Sequence, residues 1–397
     1  MAEASTLNLR GLQGLIDALR GRGYRVMGPT VRDGAITIDE VRSLADLPRG
    51  VGDEQEAGHY RLRRRDDDAL FGFAAPMQSA KPVFFPADEL LWRGRKNADE
   101  GFSVEAAPTT QPPVALLGVR SCDLAAVGVH DVVLTSRGLV DTRYAARRDG
   151  TFVVATTCAD PAGTCFCASM GTGPKPQAGY DIALTELLDG EHRFLAEAGT
   201  PAGEELLACL ETSVATADDV TAAQTLVAEA VAGMGRTMRT DDLREVLYAG
   251  AESPHWDDIA SRCLACENCT MVCPTCFCTS VEDVSDLTGD VDERHRVWDS
   301  CFSQEYSRLH TNFVRASTGA RYRQWITHKL GAWNDQFGMS GCVGCGRCIT
   351  WCPAAIDITA EVAACATSRR TGVRGRPCER SPNCSTTVRS STGCPRP

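Results

Sequence analysis

Eight cysteines in two runs of identical spacing dominate the chemistry open to this chain. Cys263, Cys266, Cys269 and Cys273, followed by Pro274, and Cys342, Cys345, Cys348 and Cys352, followed by Pro353, both read Cys-x2-Cys-x2-Cys-x3-Cys-Pro. With about one residue in twenty a cysteine, meeting this pattern once by chance is roughly a one-in-ten-thousand event, and it occurs twice. The spacing has a geometric reason. Three thiolates two residues apart wrap one face of an iron–sulfur cubane while inward peptide N–H groups donate to its sulfurs, and the fourth, turned away by the proline, reaches another cluster. On that crossed pattern Cys263, Cys266, Cys269 and Cys352 hold one 4Fe-4S cluster, and Cys342, Cys345, Cys348 and Cys273 hold the second. A pair of zinc knuckles would instead join Cys-x2-Cys units across a longer gap, without a third close cysteine or the Cys-Pro. The overlapping Cys269-x3-Cys273-x2-Cys276 has the spacing of a radical S-adenosylmethionine motif, but it lies inside the ladder and lacks the preceding strand of a barrel.

The tetrapeptide Thr-Cys-Phe-Cys occurs at Thr275 to Cys278, under the first ladder, and again at Thr164 to Cys167. A repeat of this length is expected on the order of once by chance in such a chain, so the placement of the upstream copy matters more than the repeat. Val114 to Val119 and Thr151 to Thr156 are short apolar runs flanking a helical stretch from Asp123 to Leu134, which is a strand–helix–strand unit with parallel strands. Cys122 follows the first strand and Cys158 the second, so both fall at the carboxyl edge of the sheet, where ligands of open α/β sheets gather. Cys165 and Cys167, in the glycine-containing loop that follows, can fold back to that edge. Four thiols then converge, enough for a third 4Fe-4S cluster, with Arg120 and the helix N-terminus offsetting its charge. The alternative is a set of core thiols, since the tight Cys-x-Cys is a less usual ligand pair. Cys276 and Cys278 read as packing thiols beneath the ladder, and Cys209 and Cys301 as buried apolar residues.

The elements that must position these thiols fall into an α+β order. A helix carries Leu12, Leu15, Ile16 and Leu19 on one face, and strands are expected near Tyr24 to Met27, Ala35 to Ile38, Tyr180 to Leu184 and His192 to Ala196. Helices follow at about 201 to 210, 218 to 234 and 241 to 249, and from Pro254 onward the pattern is almost wholly helical outside the cysteine loops. That includes the 68-residue insert from Pro274 to Gly341. The predicted organisation is an N-terminal α/β domain over 1–200 with a partly parallel sheet, a helical connector over 201–250, an all-helical dicluster ferredoxin domain over 251–362, and a disordered basic tail over 363–397. The tail's Cys365, Cys378, Cys384 and Cys394 lack ligand spacing.

Composition narrows the function classes. The 397 residues, 43% hydrophobic and 23% charged, suit a globular protein with room for two or three cores. Twenty cysteines are far too many to keep as idle thiols in a cytoplasmic chain, which again implies metal. The net charge is −11, and residues 364–397 carry seven arginines and one glutamate, which leaves about −17 on the remainder. An acidic body argues against nucleic acid as a partner. The N-terminus has no basic start followed by an apolar run, and no stretch approaches the roughly 18 apolar residues of a membrane span, so a cytoplasmic location is expected. Gly233-Met-Gly235 and Gly171-Thr-Gly173 lack the context of a dinucleotide fingerprint, and His130, His255 and His328 read as solvated or structural.

Together, GVRSCDLAAVGVHDVVL (118 to 134), CADPAGTCFCASMGTGP (158 to 174), CPTCFC (273 to 278), RYRQWITHKLG (321 to 331) and CVGCGRCITWCPAAIDIT (342 to 359) resemble the beta subunit of cytoplasmic sulfhydrogenase, in the NAD(P)-linked group of NiFe hydrogenases. They are similar also to the electron-transfer subunit of anaerobic sulfite reductase. The resemblance covers residues 10 to 362 and leaves out the tail. It implies a relay subunit with no catalytic residue of its own. Such a subunit passes electrons between a flavin and NAD(P)-binding subunit, on one side, and the NiFe hydrogenase small and large subunits, or a sulfite reductase catalytic subunit, on the other. A self-standing Fe–S enzyme would need an open iron site, whereas every close ladder position is filled. A redox sensor would need a partner-reading motif, and no DNA-binding motif is present. Glu267 near the first cluster and Arg347 near the second predict the higher reduction potential at the second.

Overall fold

The computed structural model describes residues 4–97, 101–109, 112–136 and 138–370. Its architecture follows from the strand Val114–Arg120, buried along its whole length, as a strand is when both faces of its sheet are covered. It pairs in parallel with Arg25–Arg32 on one side and Thr151–Thr156 on the other. Helices Ser121–Thr135 and Thr142–Asp149 make the crossover, so the expected strand–helix–strand unit is present. The full sheet has eight strands, in the order Ser213–Val214, Ser5–Asn8, Arg193–Ala198, Ile182–Leu187, Thr151–Thr156, Val114–Arg120, Arg25–Arg32, Ala35–Glu40. Ile182–Leu187 joins in parallel and the outer strands are antiparallel, giving the partly parallel sheet. One face is covered by the helix Leu9–Gly21, capped by the Asn8 side chain, with Leu12, Leu15, Ile16 and Leu19 buried. Leu124, Val127 and Tyr144 cover the other face. Gly118, at φ +81°, marks a register shift in the central strand just before Arg120 and Cys122, and such a bulge re-aims the residues that follow it.

The dicluster region is helical, with Leu243–Ala249, His255–Arg262, Thr318–Thr327 and Ile358–Arg370 packed around Leu247, Ile259, Trp325 and Ile326. One part departs from expectation. The insert opens not with a helix but with a hairpin, Thr279–Ser285 and Val291–Trp298, whose second strand pairs with Asp88–Lys96, itself paired with Phe102–Ala106, in a second, antiparallel sheet. Its partner strands lie in the first hundred or so residues, so no local pattern announces the pairing, and its many charges hide the alternation. Arg296 reaches across this joint to Glu89 and Asp141.

Two smaller expectations also change. Cys209 is exposed, because Leu206 and Leu207 take the buried side of helix Pro201–Ala208 and the helix ends at Cys209 itself. The alanine-rich helix runs past residue 363 to Arg370, and Cys365 is buried in the helical core beside Val362. Residues 371–397, with Cys378, Cys384 and Cys394, lie outside the described residues.

The upstream Thr-Cys-Phe-Cys loop joins the two halves. Phe166 is fully buried in the helical core, its N–H donates to Gly344 O at 2.9 Å, and Thr164 Oγ1 bonds Thr350 Oγ1 at 2.8 Å. The glycines of the second ladder allow this contact. Gly344 and Gly346 are left-handed (φ +68° and +76°), but so are Ala265 and Glu267 (φ 49° and 69°) at the matching positions of the first ladder. Left-handed backbone alone therefore does not call for glycine. Close approach does: a Cβ on Gly344 would sit 2.7 Å from the Cys167 nitrogen, and one on Gly346 2.5 Å from Thr164 O.

Gly344→Ala should accordingly destabilise the protein by about 1–3 kcal/mol or more, strain and clash acting together. Ala265→Gly should leave the thermal midpoint nearly unchanged. Thermal unfolding of the iron-loaded chain checks both, and equal effects at the two positions would contradict the close-approach argument.

Candidate iron–sulfur centres

Each ladder curls its first three cysteines around a short helix start, Asn268–Met271 in the first and Arg347–Thr350 in the second, with left-handed residues between the thiols. Cys263, Cys266, Cys269 and Cys352 line one cavity, walled by Phe302, Tyr322, Trp325 and Ile356. Peptide N–H groups already point at the sulfurs, Ala265 N to Cys263 Sγ and Ile356 N to Cys352 Sγ, both at 3.4 Å. This site reaches the surface, since Cys266 is exposed and Leu264 is 68% exposed. Burial pushes the Cys269 thiol well above its usual range, and Cys263 and Cys352 add to it.

The other four ladder thiols are near enough to perturb one another. Burial raises Cys348, and its next perturbing neighbours are Cys342, Cys345 and Cys273. Burial pushes Cys342 up to about 12 against the pull of Lys329. Cys273 goes the other way, held well below the thiol range by a hydrogen bond from Cys276, against burial and with help from Lys329.

The upstream thiols meet too. Cys122 in the first turn of Ser121–Thr135, Cys158 after Thr151–Thr156, and Cys165 and Cys167 from the loop line a single cavity with Arg120 and Cys345. Gly173 lets the loop close, because a Cβ there would lie 2.9 Å from Cys167 Sγ. Burial, then Cys158 and Cys345, push Cys167 up to about 12, so these thiols stay neutral until a metal displaces their protons. Among the described residues no three ligating side chains close on a single point as around one ion. Four thiols around the wall of one cavity suit the wider cubane. Arg120, 1% exposed, gives its N–H groups to the carbonyls of Phe71, Phe73 and Thr157 and to Thr156 Oγ1, none of them a carboxylate, so its charge stays available to an anionic group beside it.

Residues 262–356 match the family described as a 4Fe-4S dicluster domain. Sulfhydrogenase 2 subunit beta of Pyrococcus furiosus is 32% identical over 321 residues, spanning 79% of this chain and 91% of that protein. The chain belongs to the sulfhydrogenase beta-subunit family. As a member of that family it is an iron–sulfur electron-transfer protein. No solved structure matches it. Among its described residues no helix is long and apolar enough to cross a membrane.

The downstream Thr-Cys-Phe-Cys of this sulfhydrogenase relative packs against the second thiol set through Cys273. Cys276 lies against Cys273, and Cys278 against Cys301 and Tyr306, where the hydrogen bond from Cys301 pulls Cys278 down to about 6. Cys301 is half-buried at the margin of the helical core. His130 is structural: buried between Phe85 and Tyr144, it is kept neutral by burial, which lowers it to about 3. His255 pairs with Glu361 at 2.7 Å and half-buried His328 packs on Phe277 and Trp333. Two features escaped the sequence reading. Arg347 is fully buried and bidentate to Asp123, at 2.6 and 3.0 Å, so its charge is shared between that carboxylate and the neighbouring Cys345 thiol, which it favours in the thiolate form against burial. The cation that donates to a sulfur of the second ligand set is Lys329, through Cys273, and no spacing rule singles it out.

Asp123→Asn strands Arg347 and should destabilise the protein by about 3–5 kcal/mol, whereas adding Arg347→Met should recover most of the loss. Thermal midpoints of the two single variants and the double variant close the cycle, and simple additivity would mean that the pair is not coupled.

Proposed function

We propose that this protein holds three 4Fe-4S clusters in a row and relays electrons between a flavin and NAD(P)-binding subunit, on one side, and the NiFe hydrogenase small and large subunits, on the other. The ligand sets are Cys263, Cys266, Cys269 and Cys352; Cys342, Cys345, Cys348 and Cys273; and Cys122, Cys158, Cys165 and Cys167. The observation that carries the order is the double placement of the second ladder. Its Cys345 lines the upstream cavity and its Cys348 lines the cavity of the first ladder. When bound, such clusters supply one-electron steps and no substrate chemistry.

The chain's own groups do the rest. Phe302, Tyr322 and Trp325 keep water from one end, Pro161 and Pro174 from the other, and Arg120 offsets negative charge at the inner end. The surface-reaching first ladder, with Leu264 and Cys266 exposed, is the end that faces a partner subunit. An anaerobic sulfite reductase partner is the less favoured reading, because the matched relative is a sulfhydrogenase subunit.

After anaerobic reconstitution the full chain should bind about twelve iron atoms, and Cys122→Ser or Cys158→Ser about eight. Iron near eight in all three proteins would remove the third cluster. In the purified complex, Cys345→Ser should abolish nicotinamide-linked hydrogen turnover while each partner keeps its own dye-linked activity. Turnover that survives would overturn the relay.

A further inference from the structure

We infer that Lys329 sets the reduction potential of the centre held by the second ladder, an inference that rests on the reading that Cys273 is a ligand there. Lys329 is 6% exposed, and its ammonium has three N–H groups and three acceptors: Thr275 Oγ1 at 2.7 Å, Gly341 O at 3.3 Å and Cys273 Sγ at 3.3 Å. Thr275 Oγ1 also lies 3.2 Å from that sulfur. None of the acceptors is a carboxylate. Burying an ammonium against neutral oxygens alone is costly, and the cost is offset only where the sulfur it touches carries negative charge. A metal-bound thiolate does. Because the reduced centre is one electron more negative than the oxidised one, a buried cation donating to a ligand sulfur favours reduction and raises the potential.

The backbone is shaped for this contact. Lys329 lies in a π-helical turn, His328–Ala332, set between the helices Thr318–Thr327 and Trp333–Phe337. Such turns are frequent at functional sites. Gly341 N donates to Lys329 O at 2.8 Å, which ties the turn to the start of the second ladder.

Among the described residues no cation donates to a sulfur of the first centre, and the buried Arg321, which gives its N–H groups to Arg315 O, Ala316 O and Thr318 Oγ1, acts on Cys263 only through space. Cys263 and Cys352 each accept a single peptide N–H, and the ionisable side chain between its thiols is Glu267. Of the cations near the second ladder, Arg347 gives its guanidinium N–H groups to Asp123, Pro76 O and Gln78 O and none to a sulfur. Lys81 Nζ lies 3.5 Å from the Trp298 ring centroid and donates to Cys276 O at 3.3 Å, without bonding to Cys273 Sγ. Among the described residues Lys329 is therefore the cation that donates to a ligand sulfur of either ladder.

The experiment is an EPR-monitored redox titration of the iron-loaded full chain, with Cys345→Ser identifying the signal of the second ladder. Lys329→Met should keep iron content and line shape while the reduced-to-oxidised ratio of that signal, at the wild-type midpoint, drops about tenfold, equivalent to 59 mV for one electron. Lys329→Gln, which keeps a donor without the charge, should lower it less, Lys329→Arg should hold it near wild type, and Lys81→Met should move it little. If Lys329→Met fails to retain iron, Lys329→Gln decides. An unchanged midpoint in whichever of these retains the signal, or an equal drop in Lys81→Met, overturns the proposal. The ligand assignment fails separately, through a Cys345→Ser protein that keeps every signal and all its iron.

Discussion

The contact on which the rest of the molecule depends is the approach of two backbones, Thr164 to Cys167 against Gly344 to Gly346. At 2.9 Å from Phe166 N to Gly344 O, with no room for a Cβ on either glycine, the loop and the ladder behave as one piece. Phe166 then reaches the helical core, and Cys345 reaches the cavity at the sheet edge. Thr172 Oγ1 to Val343 O and Arg236 to Gly163 O and Asp357 hold the same joint from its flanks. A fragment ending near residue 250 would lack the ladder face on which the upstream loop rests. The thiols at the sheet edge are thus not an independent unit, although all four come from the first half of the chain.

Buried cations form the second theme. In a chain of net charge −11, Arg120, Arg347 and Lys329 are all withdrawn from solvent next to thiols. They are handled in three ways. Arg347 is paired with a bidentate carboxylate and acts as a strut between the helix Ser121–Thr135 and the second ladder. Arg120 is spread over backbone carbonyls and stacks 4.4 Å from the Phe73 ring centroid. Lys329 alone donates to one of the ladder sulfurs. Since a reduced centre adds negative charge to a medium that screens poorly, where each cation finds its counter-charge matters more than how many there are.

The two ladders are alike in spacing and unlike in surroundings. Both share the left-handed turns between thiols, but one keeps Ala265 and Glu267 near the surface while the other is closed over by the upstream loop. A repeated motif has in this way acquired an outward end and an inward end.

Spacing of cysteines, prolines after the fourth thiol and the apolar runs that make parallel strands are local properties, and the sequence determined them: the two ladders, the strand–helix–strand unit and the placing of Cys122 and Cys158 at one sheet edge could all be read residue by residue. Tertiary structure decided whatever depended on a distant partner. The hairpin Thr279–Trp298 takes its strand from Asp88–Lys96, Cys365 becomes core because the helix Leu243–Ala249 lies beside its own, and Cys209 is exposed because its leucine neighbours take the inner face. The carboxylate partner of Arg347 and the contact of Lys329 with Cys273 were decided for the same reason. A cation's effect depends on its counter-charge, and Asp123 is brought to Arg347 only when the chain has folded.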